Sequence, residues 1–230
     1  MTDLITSIPF MLLLTTGTYL LGSYIYTKSG ISILHPILIS ILTIIGVLKW
    51  LDIPYEVYAE KSALIDFLLG PSVVALGYTL YEQINYIKGK VITILTSILV
   101  GSFVGIVSVI AICRLMGVEE SIIASLEPKS VTTPIAVSLA SRSGGIPALT
   151  AIVVVVCGIF GSITGPFILK ALHIKSKVAQ GLALGAAAHG LGTARAIEMG
   201  AVEGAISGLS IGLMGIMTSL LIPLLETWFR

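Results

Sequence analysis

Long apolar stretches separated by short polar loops follow one another along most of the chain. A membrane-spanning helix needs roughly 20 mainly apolar residues, and five stretches come close to or exceed that length without a break. These five are 8–26, 31–48, 88–113, 145–171 and 203–228. The pattern predicts five plain membrane-spanning helices.

Three more stretches are long enough to enter a membrane, but glycine, proline or polar residues interrupt each of them. They are 62–81, which carries Asp66 and breaks at Gly70 and Pro71; 121–143, which holds the polar run EPKSVTTP and is followed by Gly144 and Gly145; and 178–200, which breaks near Gly190. Irregular backbone at membrane depth is tolerated only where protein buries it or where it lines a watery cavity. We therefore expect an all-α multi-pass membrane protein of about seven or eight segments, three of them broken or re-entrant half-helices.

Composition supports a membrane protein and argues against other classes. Hydrophobic residues make up 56% of the 230-residue chain and charged residues 11%, with a mean hydropathy of +1.05. A soluble domain carries about 25% charged residues. The net charge of +1 offers no basic field for nucleic acid. We expect a single membrane domain over 1–230, in which 1–60 supplies two peripheral spans and 61–230 the core with the broken helices.

The sequence contains no motif for a metal, a cofactor or an enzyme. Cys113 and Cys157 lie in apolar stretches without a CxxC partner, so we expect buried thiols rather than a disulfide. His35, His173 and His189 show no metal-ligand spacing. Neither a Gly-x-Ser-x-Gly elbow nor a phosphate-binding loop is present. We expect no enzymatic activity, no metal and no cofactor.

Lysine placement favours a re-entrant segment at 121–143. Cytoplasmic loops of membrane proteins carry an excess of Lys and Arg. If the chain begins outside, the loops with Lys28 and with Lys88 and Lys90 fall inside. The lysine-rich loop 170–177 falls inside only when 121–143 enters and leaves on one side.

A short internal echo points to a repeat. GSFVG at 101–105 matches GSITG at 161–165, and each lies in an apolar span that follows a broken segment. Repeats are common in transporters, but chance similarity between glycine-rich spans explains the echo equally well.

The polar run EPKSVTTP predicts the start of a half-helix. Pro134 suits the first turn of a helix, because it lacks the N–H that has no partner there, and Thr133 suits the N-cap. The half-helix is expected to run from Pro134 to about Ser141.

The N-terminal end of this half-helix is suited to an anion. Free N–H groups and the positive end of the helix dipole attract negative charge, and Lys129, Ser130, Thr132 and Thr133 lie beside them in sequence. Alternatively, Lys129 and Glu127 extend to the membrane interface and the prolines only turn the chain. The residues alone leave both interpretations open.

A second polar group lies in AAAHGLGTARAIE, residues 186–198. Gly190 and Gly192 can unwind a helix, and Thr193 can cap a new one. His189 lies at the break, where it is either satisfied by hydrogen bonds or functional. Arg195 and Glu198 lie three residues apart on one helical face, where they can pair with each other. In the remaining broken segment, Asp66 could titrate, pair with a cation or cap a turn.

Four stretches together resemble the LrgB/CidB family. They are LLGPSVVALGYTLYEQ at 68–83, EPKSVTTPIAVSLA at 127–140, GGIPALTA at 144–151 and GLALGAAAHGLGTARAIEMGAVEGAISGLSIGLMGIMTSLLIPLL at 181–225. The resemblance covers about 60–230 well and the first two spans by hydropathy only. It implies a multi-pass protein of the bacterial inner membrane that is often encoded beside a small LrgA/CidA-type partner.

The resemblance implies two functions of different classes. Members of the family were first described as holin- or antiholin-like regulators of murein hydrolase activity and cell death. A plant plastidial relative is a glycolate/glycerate translocator, and bacterial relatives have been linked to pyruvate uptake. We therefore expect a homodimeric secondary transporter of small monocarboxylates of the glycolate, glycerate, lactate or pyruvate class, with an antiholin-like regulator as the alternative.

Site residues are carried over where the sequence matches the family's motifs. We expect the substrate carboxylate to bind at Lys129 with Ser130, Thr132, Thr133 and Pro134, and His189, Gly192, Thr193 and Arg195 to complete the pocket. Candidates for coupling to H⁺ or Na⁺ are Asp66, Glu127 and Glu198. Glu127 departs from the family's pattern, since a neutral residue is expected at that position.

Overall fold

The computed structural model is helical throughout the residues that it describes. These residues are 5–29, 34, 36–68 and 88–229, with isolated positions between 71 and 85, and of residues 66, 228 and 229 only the backbone is described. The chain divides into two compact units, 1–75 and 76–230.

The first unit is built around two paired helices. Its helices are α1 (Ile8–Ser29), α2 (Pro36–Trp50), α3 (Tyr55–Lys61) and α4 (Ala63–Phe67). Gly22 lets α1 and α2 approach closely, because a Cβ there would lie 2.8 Å from the carbonyl oxygen of Pro36. The hydroxyls of Thr18 and Ser40 lie 2.9 Å apart in this contact.

Sequence predictions for this unit are met in part. The span predicted at 8–26 is present as α1. The described part of the span predicted at 31–48 is the 15-residue α2, which is about 22 Å long at 1.5 Å per residue and shorter than a membrane core of about 30 Å. The break predicted at Gly70 falls outside the described residues, and Pro71 is one of the isolated positions.

The second unit holds the longer helices. They are α5 (Val91–Leu115), α6 (Glu120–Leu126), α7 (Thr133–Arg142), α8 (Pro147–Ala171), α9 (Lys177–Met199) and α10 (Ala201–Phe229). Across the described part of the chain, four helices are long and apolar enough to cross a membrane, namely α1, α5, α8 and α10. Three of the five predicted plain spans thus reappear here within a few residues of their predicted bounds.

The predicted break in 121–143 takes the form of a helical hairpin. Ile123 of α6 and Leu139 of α7 share one buried cluster. Where the chain leaves α7, a Cβ on Gly145 would lie 2.9 Å from the amide nitrogen of Ser125, and Ser125 Oγ accepts a 2.7 Å hydrogen bond from the Ile146 amide. The chain therefore returns beside the end of α6, and we call 120–142 the first hairpin.

The predicted break in 178–200 also reverses the chain. Ala188 and His189 have non-helical backbone angles in the middle of α9. Beyond them Gly192 packs directly against the carbonyl oxygen of Leu184, and Leu184 and Ala196 share a buried cluster. Residues eight apart meet only if the helix folds back, since a straight helix would separate them by about 12 Å. We call 177–199 the second hairpin.

Contacts with the last helix define the direction of α5. Ile98 shares a buried cluster with Met214, and the hydroxyls of Ser102 and Thr218 lie 3.0 Å apart. Because the residue numbers increase in the same direction along both helices, α5 and α10 run parallel.

Glycine contacts define the direction of α8. Gly161 lies against Ala188 and Gly165 against Leu184, so α8 and the first half of α9 are antiparallel. That half runs parallel to α10, because Gly181 meets Glu203 and Gly185 meets Ser207.

A helix followed by a hairpin thus occurs twice, in opposite orientations. α5 precedes the first hairpin and α8 precedes the second, and the two helices run in opposite directions. The echoed stretches 101–105 and 161–165 lie one in each of these two helices, and Ser102 and Ser162 are both buried. The hairpins enter this unit from opposite ends, an arrangement typical of inverted-repeat membrane proteins.

Candidate functional site

The tip of the first hairpin is a six-residue break between α6 and α7. Residues 127–132 are not helical, and Pro128 is fully buried among them. Helix α7 starts at Thr133, with Pro134 in its first turn and Thr132 in extended conformation before it. The half-helix expected from Pro134 to about Ser141 is therefore present. Its N-cap is Thr132 rather than Thr133, and no side chain caps it by a hydrogen bond.

Lys129 at this tip faces a cavity of about 310 Å³. The walls come from α8 and from the first half of α9: Cys157, Phe160, Gly161, Thr164, Gly165, Ile168, Leu169, Ala183, Leu184 and Ala187. The Lys129 ammonium donates a 3.1 Å hydrogen bond to Ser130 Oγ and forms no ion pair with any described residue. Lys129 is thus the charged group in a largely apolar cavity.

Glu127 lies two residues before Lys129 but does not pair with it. Only 5% of Glu127 is exposed, and its amide continues the helical hydrogen bonding of α6 by donating to the Ile123 carbonyl at 2.9 Å. The acid therefore does not neutralise the Lys129 ammonium by direct contact.

The remaining residues of the α7 start face in another direction. Pro134 lines a separate cavity of about 600 Å³ between α7 and the C-terminal half of α10, which also includes Arg142 and Glu226. Thr132 and Thr133 are half-buried and line neither cavity.

The tip of the second hairpin is closed by hydrogen bonding and close packing. His189 is buried, and its Nε2 lies 2.9 Å from the carbonyl oxygen of Val154 on α8, to which it donates. A Cβ on Gly158 would lie 2.5 Å from the His189 ring, so glycine is required under the imidazole. His189 has a φ of 41°, a region that residues other than glycine rarely adopt. The histidine anchors this tip to α8.

The other residues predicted in the second hairpin form contacts of their own. Thr193 Oγ1 lies 2.7 Å from Ser207 Oγ of α10, and both are buried. Arg195 and Glu198 form an ion pair on the surface of α9. Gly190 is exposed with open space beside it, and Gly192 is buried against Leu184.

The structure brings together some of the predicted residues and not others. Lys129 of the first hairpin shares its cavity with α9, the helix that carries His189, Gly192, Thr193 and Arg195, but none of these four lines the cavity. Gly144 has a φ of 77° at the turn into α8. The side chain of Asp66 lies outside the described residues. Among the described residues, no group of three His, Cys, Asp or Glu side chains could hold a metal ion.

Sequence reasoning missed several polar residues. Thr164 and Cys157 line the Lys129 cavity but stand in an apolar span without a local signal. Glu203 is buried at the start of α10. Its place in the first turn of a helix, directly before Gly204, was the signal available.

Four long apolar helices and two helical hairpins of opposite orientation define an all-helical membrane protein. The family model described as "LrgB-like family" matches residues 15–228, so the chain belongs to that family. No solved structure matches.

Relatives of the chain carry several names. YxaC of Bacillus subtilis (strain 168) is 37% identical over 220 residues, which cover 96% of each chain. A Staphylococcus epidermidis (strain RP62A) protein named holin-like protein CidB is 33% identical, over 95% of this chain and 96% of its own. A Bacillus mycoides (strain KBAB4) protein named antiholin-like protein LrgB is 32% identical over 94% of both.

Proposed function

We propose that this protein is a secondary transporter of small monocarboxylates in the bacterial inner membrane. The observation that carries the proposal is the cavity of about 310 Å³ in which Lys129 faces mainly apolar walls. That volume is at the lower end of the range for small-molecule sites. An ammonium group in such a site attracts the carboxylate of a substrate, and the apolar walls accommodate the short carbon chain attached to that carboxylate.

The charge of the cavity favours a monoanion. One ammonium group offsets one carboxylate, whereas a second carboxylate would be buried against Phe160 and Leu184 without a counter-charge. Burial of an unpaired charge is costly. The glycolate, glycerate, lactate and pyruvate class meets both requirements, because its members carry one carboxylate and one or two further carbon atoms.

The substrate carboxylate would be held from the first hairpin. Lys129 supplies the charge, and the hydroxyls of Ser130, Thr132 and Thr133 with the N-terminal amides of α7 supply hydrogen bonds after a small movement of the tip. His189, Thr193 and Arg195 would complete the site from the second hairpin. The two hairpins enter from opposite ends, which suits alternating exposure of a site between them. A homodimer and an H⁺ or Na⁺ coupling ion remain part of this proposal.

The second candidate function is regulation of cell lysis with an LrgA/CidA-type membrane partner. The names of the relatives, holin-like CidB and antiholin-like LrgB, favour it. Regulation by assembly requires no small-molecule cavity and would not explain a lysine that faces one.

Uptake into proteoliposomes tests the proposal. We expect Lys129→Ala and Thr133→Ala to abolish uptake of the accepted acid while the proteins still assemble. Lys175→Ala is the matched control, because Lys175 is an exposed lysine in the loop before α9. Undiminished uptake by both site variants would overturn the assignment of the site.

A thermal-shift screen separates the two candidate functions. A ligand that binds only the native state raises its stability by mass action. A transporter should be stabilised by one or more of the two- and three-carbon hydroxy and keto acids, and Lys129→Ala should lose that response. A regulator that acts by assembly should respond to none of them.

A further inference from the structure

A carboxylate without a counter-charge is buried at the start of α10. Glu203 is 4% exposed, and its Oε2 has no hydrogen-bond partner among the described residues. It also forms none of the ion pairs found in that part of the chain. Ionisable groups buried within membrane segments are costly and commonly mark the paths of ions and protons.

Glu203 lies against α9 and against the link from α9 to α10. A Cβ on Gly200, the residue between these two helices, would lie 2.5 Å from Glu203 Oε2. A Cβ on Gly181, in the first half of α9, would lie 2.5 Å from the Glu203 main-chain carbonyl oxygen. Glycine at these two positions therefore lets the link pack on the carboxylate and the first half of α9 pack on the backbone of Glu203.

The hydroxyls further along this face of α10 are already engaged. Ser207 Oγ lies 2.7 Å from Thr193 Oγ1, and Ser210 Oγ donates a 3.0 Å hydrogen bond to the Leu182 carbonyl. Both serines are fully buried. They hold the two halves of α9 against α10 and leave the Glu203 carboxylate as the unsatisfied group on this face.

No cation of the described residues pairs with Glu203. The titratable and charged groups on α9 are Lys177, His189, Arg195 and Glu198. Arg195 and Glu198 pair with each other, and Lys177 and His189 form no ion pair with Glu203. α5 and α7 meet α10 near Met214 and Gly215. Of the charged residues on or next to these two helices, Lys90 is exposed just before α5, Arg114 pairs with Glu120, and Arg142 lines the cavity that includes Glu226.

We infer that the Glu203 carboxylate binds a monovalent cation, a proton or Na⁺, that is carried together with the substrate. The cation would supply the charge that the protein lacks at this position. The carboxylate belongs to the first turn of α10, at the positive end of the helix dipole. One monovalent cation with one monocarboxylate makes the transported pair electrically neutral.

α9 connects this cation site to the substrate cavity. Ala183 and Ala187 of its first half line the cavity of Lys129, and Gly181 of the same half packs on Glu203. A movement of the second hairpin that opens the cavity would therefore also uncover Glu203. The inference rests on the proposed transport function for its role, but cation binding can be measured without transport.

The first experiment measures cation binding directly. The melting temperature of the purified protein is followed against Na⁺, with choline as replacement, and separately against pH. A cation that binds only the folded state raises its stability, so the wild type should be stabilised by Na⁺ or by protons to a greater extent than Glu203→Gln. Glu119→Gln, at an exposed acid just before α6, is the control and should respond as the wild type does.

The second experiment measures coupling in proteoliposomes. With one cation per monocarboxylate, an imposed tenfold cation gradient supports about tenfold accumulation of the acid. We expect the wild type to accumulate the acid under one of the two gradients, Na⁺ or proton. The gradient that drives accumulation identifies the cation. Glu203→Gln should lose gradient-driven accumulation and keep exchange of internal for external acid.

The outcomes separate the inference from the proposed function. Equal cation responses of Glu203→Gln and the wild type would overturn the inference, even if the wild type transports. Loss of the cation response in Glu203→Gln, with no transport by the wild type, would support the cation site and contradict the transporter. If Glu203→Gln does not fold, Glu203→Asp replaces it. If the cation concentration at half-maximal stabilisation of Glu203→Asp differs from that of the wild type, the site is supported. An unchanged concentration overturns the inference.

Discussion

The two hairpins differ most at their tips. The first tip is six residues long, and its lysine faces a cavity and donates a side-chain hydrogen bond to the neighbouring Ser130. The second tip is two residues long, and His189 binds the Val154 carbonyl while packing on Gly158. Two hairpins of opposite orientation thus have different chemistry at their tips. The first is suited to bind a ligand and the second to hold the protein together.

This comparison separates effects on stability from effects on uptake. Variants at the second tip should change the free energy of unfolding. Lys129→Ala at the first tip should change uptake but leave stability almost unaltered, since Lys129 makes a single hydrogen bond there. The following predictions are ordered by the expected size of the effect.

Gly192→Ala should have the largest effect. A Cβ at this position would collide with the Leu184 carbonyl oxygen and lie 2.8 Å from the Ala188 Cβ. Backbone atoms cannot move aside cheaply, so we expect a loss of about 3 kcal/mol or more and little folded protein. The matched control is Gly190→Ala, where no heavy atom would lie within 4 Å of the Cβ. Thermal unfolding and size-exclusion profiles measure both, and equal behaviour would contradict the close approach at Gly192.

His189→Leu should have an intermediate effect. Leucine removes the hydrogen bond to Val154, worth about 1 kcal/mol, and adopts a positive φ less readily than histidine does. We expect a loss of about 1–2 kcal/mol in total. His189→Asn should lose less, because asparagine tolerates positive φ and retains an N–H donor. Denaturant titration distinguishes the two variants, and a larger loss for asparagine would contradict the role of His189 as an anchor.

Arg195→Gln should have the smallest effect on stability. Its ion pair with Glu198 lies on the surface, where the Glu198 side chain is 50% exposed, and exposed pairs contribute about 0–1 kcal/mol. We expect a change within that range, with Glu198→Gln as the matched variant. Uptake by the folded Arg195→Gln protein then tests whether Arg195 contributes to the substrate pocket. A loss of uptake without a loss of stability would support that contribution.

The sequence predicts much of the fold because the decisive signals are local. Proline marks the first break, and Gly190, where the second break is expected, directly follows the observed one at Ala188 and His189. Apolar length marks α5, α8 and α10 within a few residues of the observed bounds. The start of α7 follows from Pro134. Each of these features depends on residues that are close together in the sequence, so the sequence alone is enough to predict it.

Contacts between distant residues could not be predicted in this way. His189 binds Val154, 35 residues away in the chain, and nothing near either residue indicates the pair. The cavity of Lys129 depends on α8 and α9 side chains that are ordinary in sequence. Glu203 is buried because Gly181 and Gly200 admit a neighbouring helix, which is a property of packing. The short described length of α2 likewise has no counterpart in its hydropathy.

The pairing of Ser102 with Thr218 has a consequence for the order of assembly. The two hydroxyls lie on the first and last helices of the second unit, 116 residues apart in the chain, and both are buried. During synthesis α5 is made well before α10, so Ser102 enters the membrane before its partner exists. The ribosome must therefore complete α10 before this interior can close, and a nascent chain ending before Thr218 would leave a polar hydroxyl facing lipid or a substitute partner.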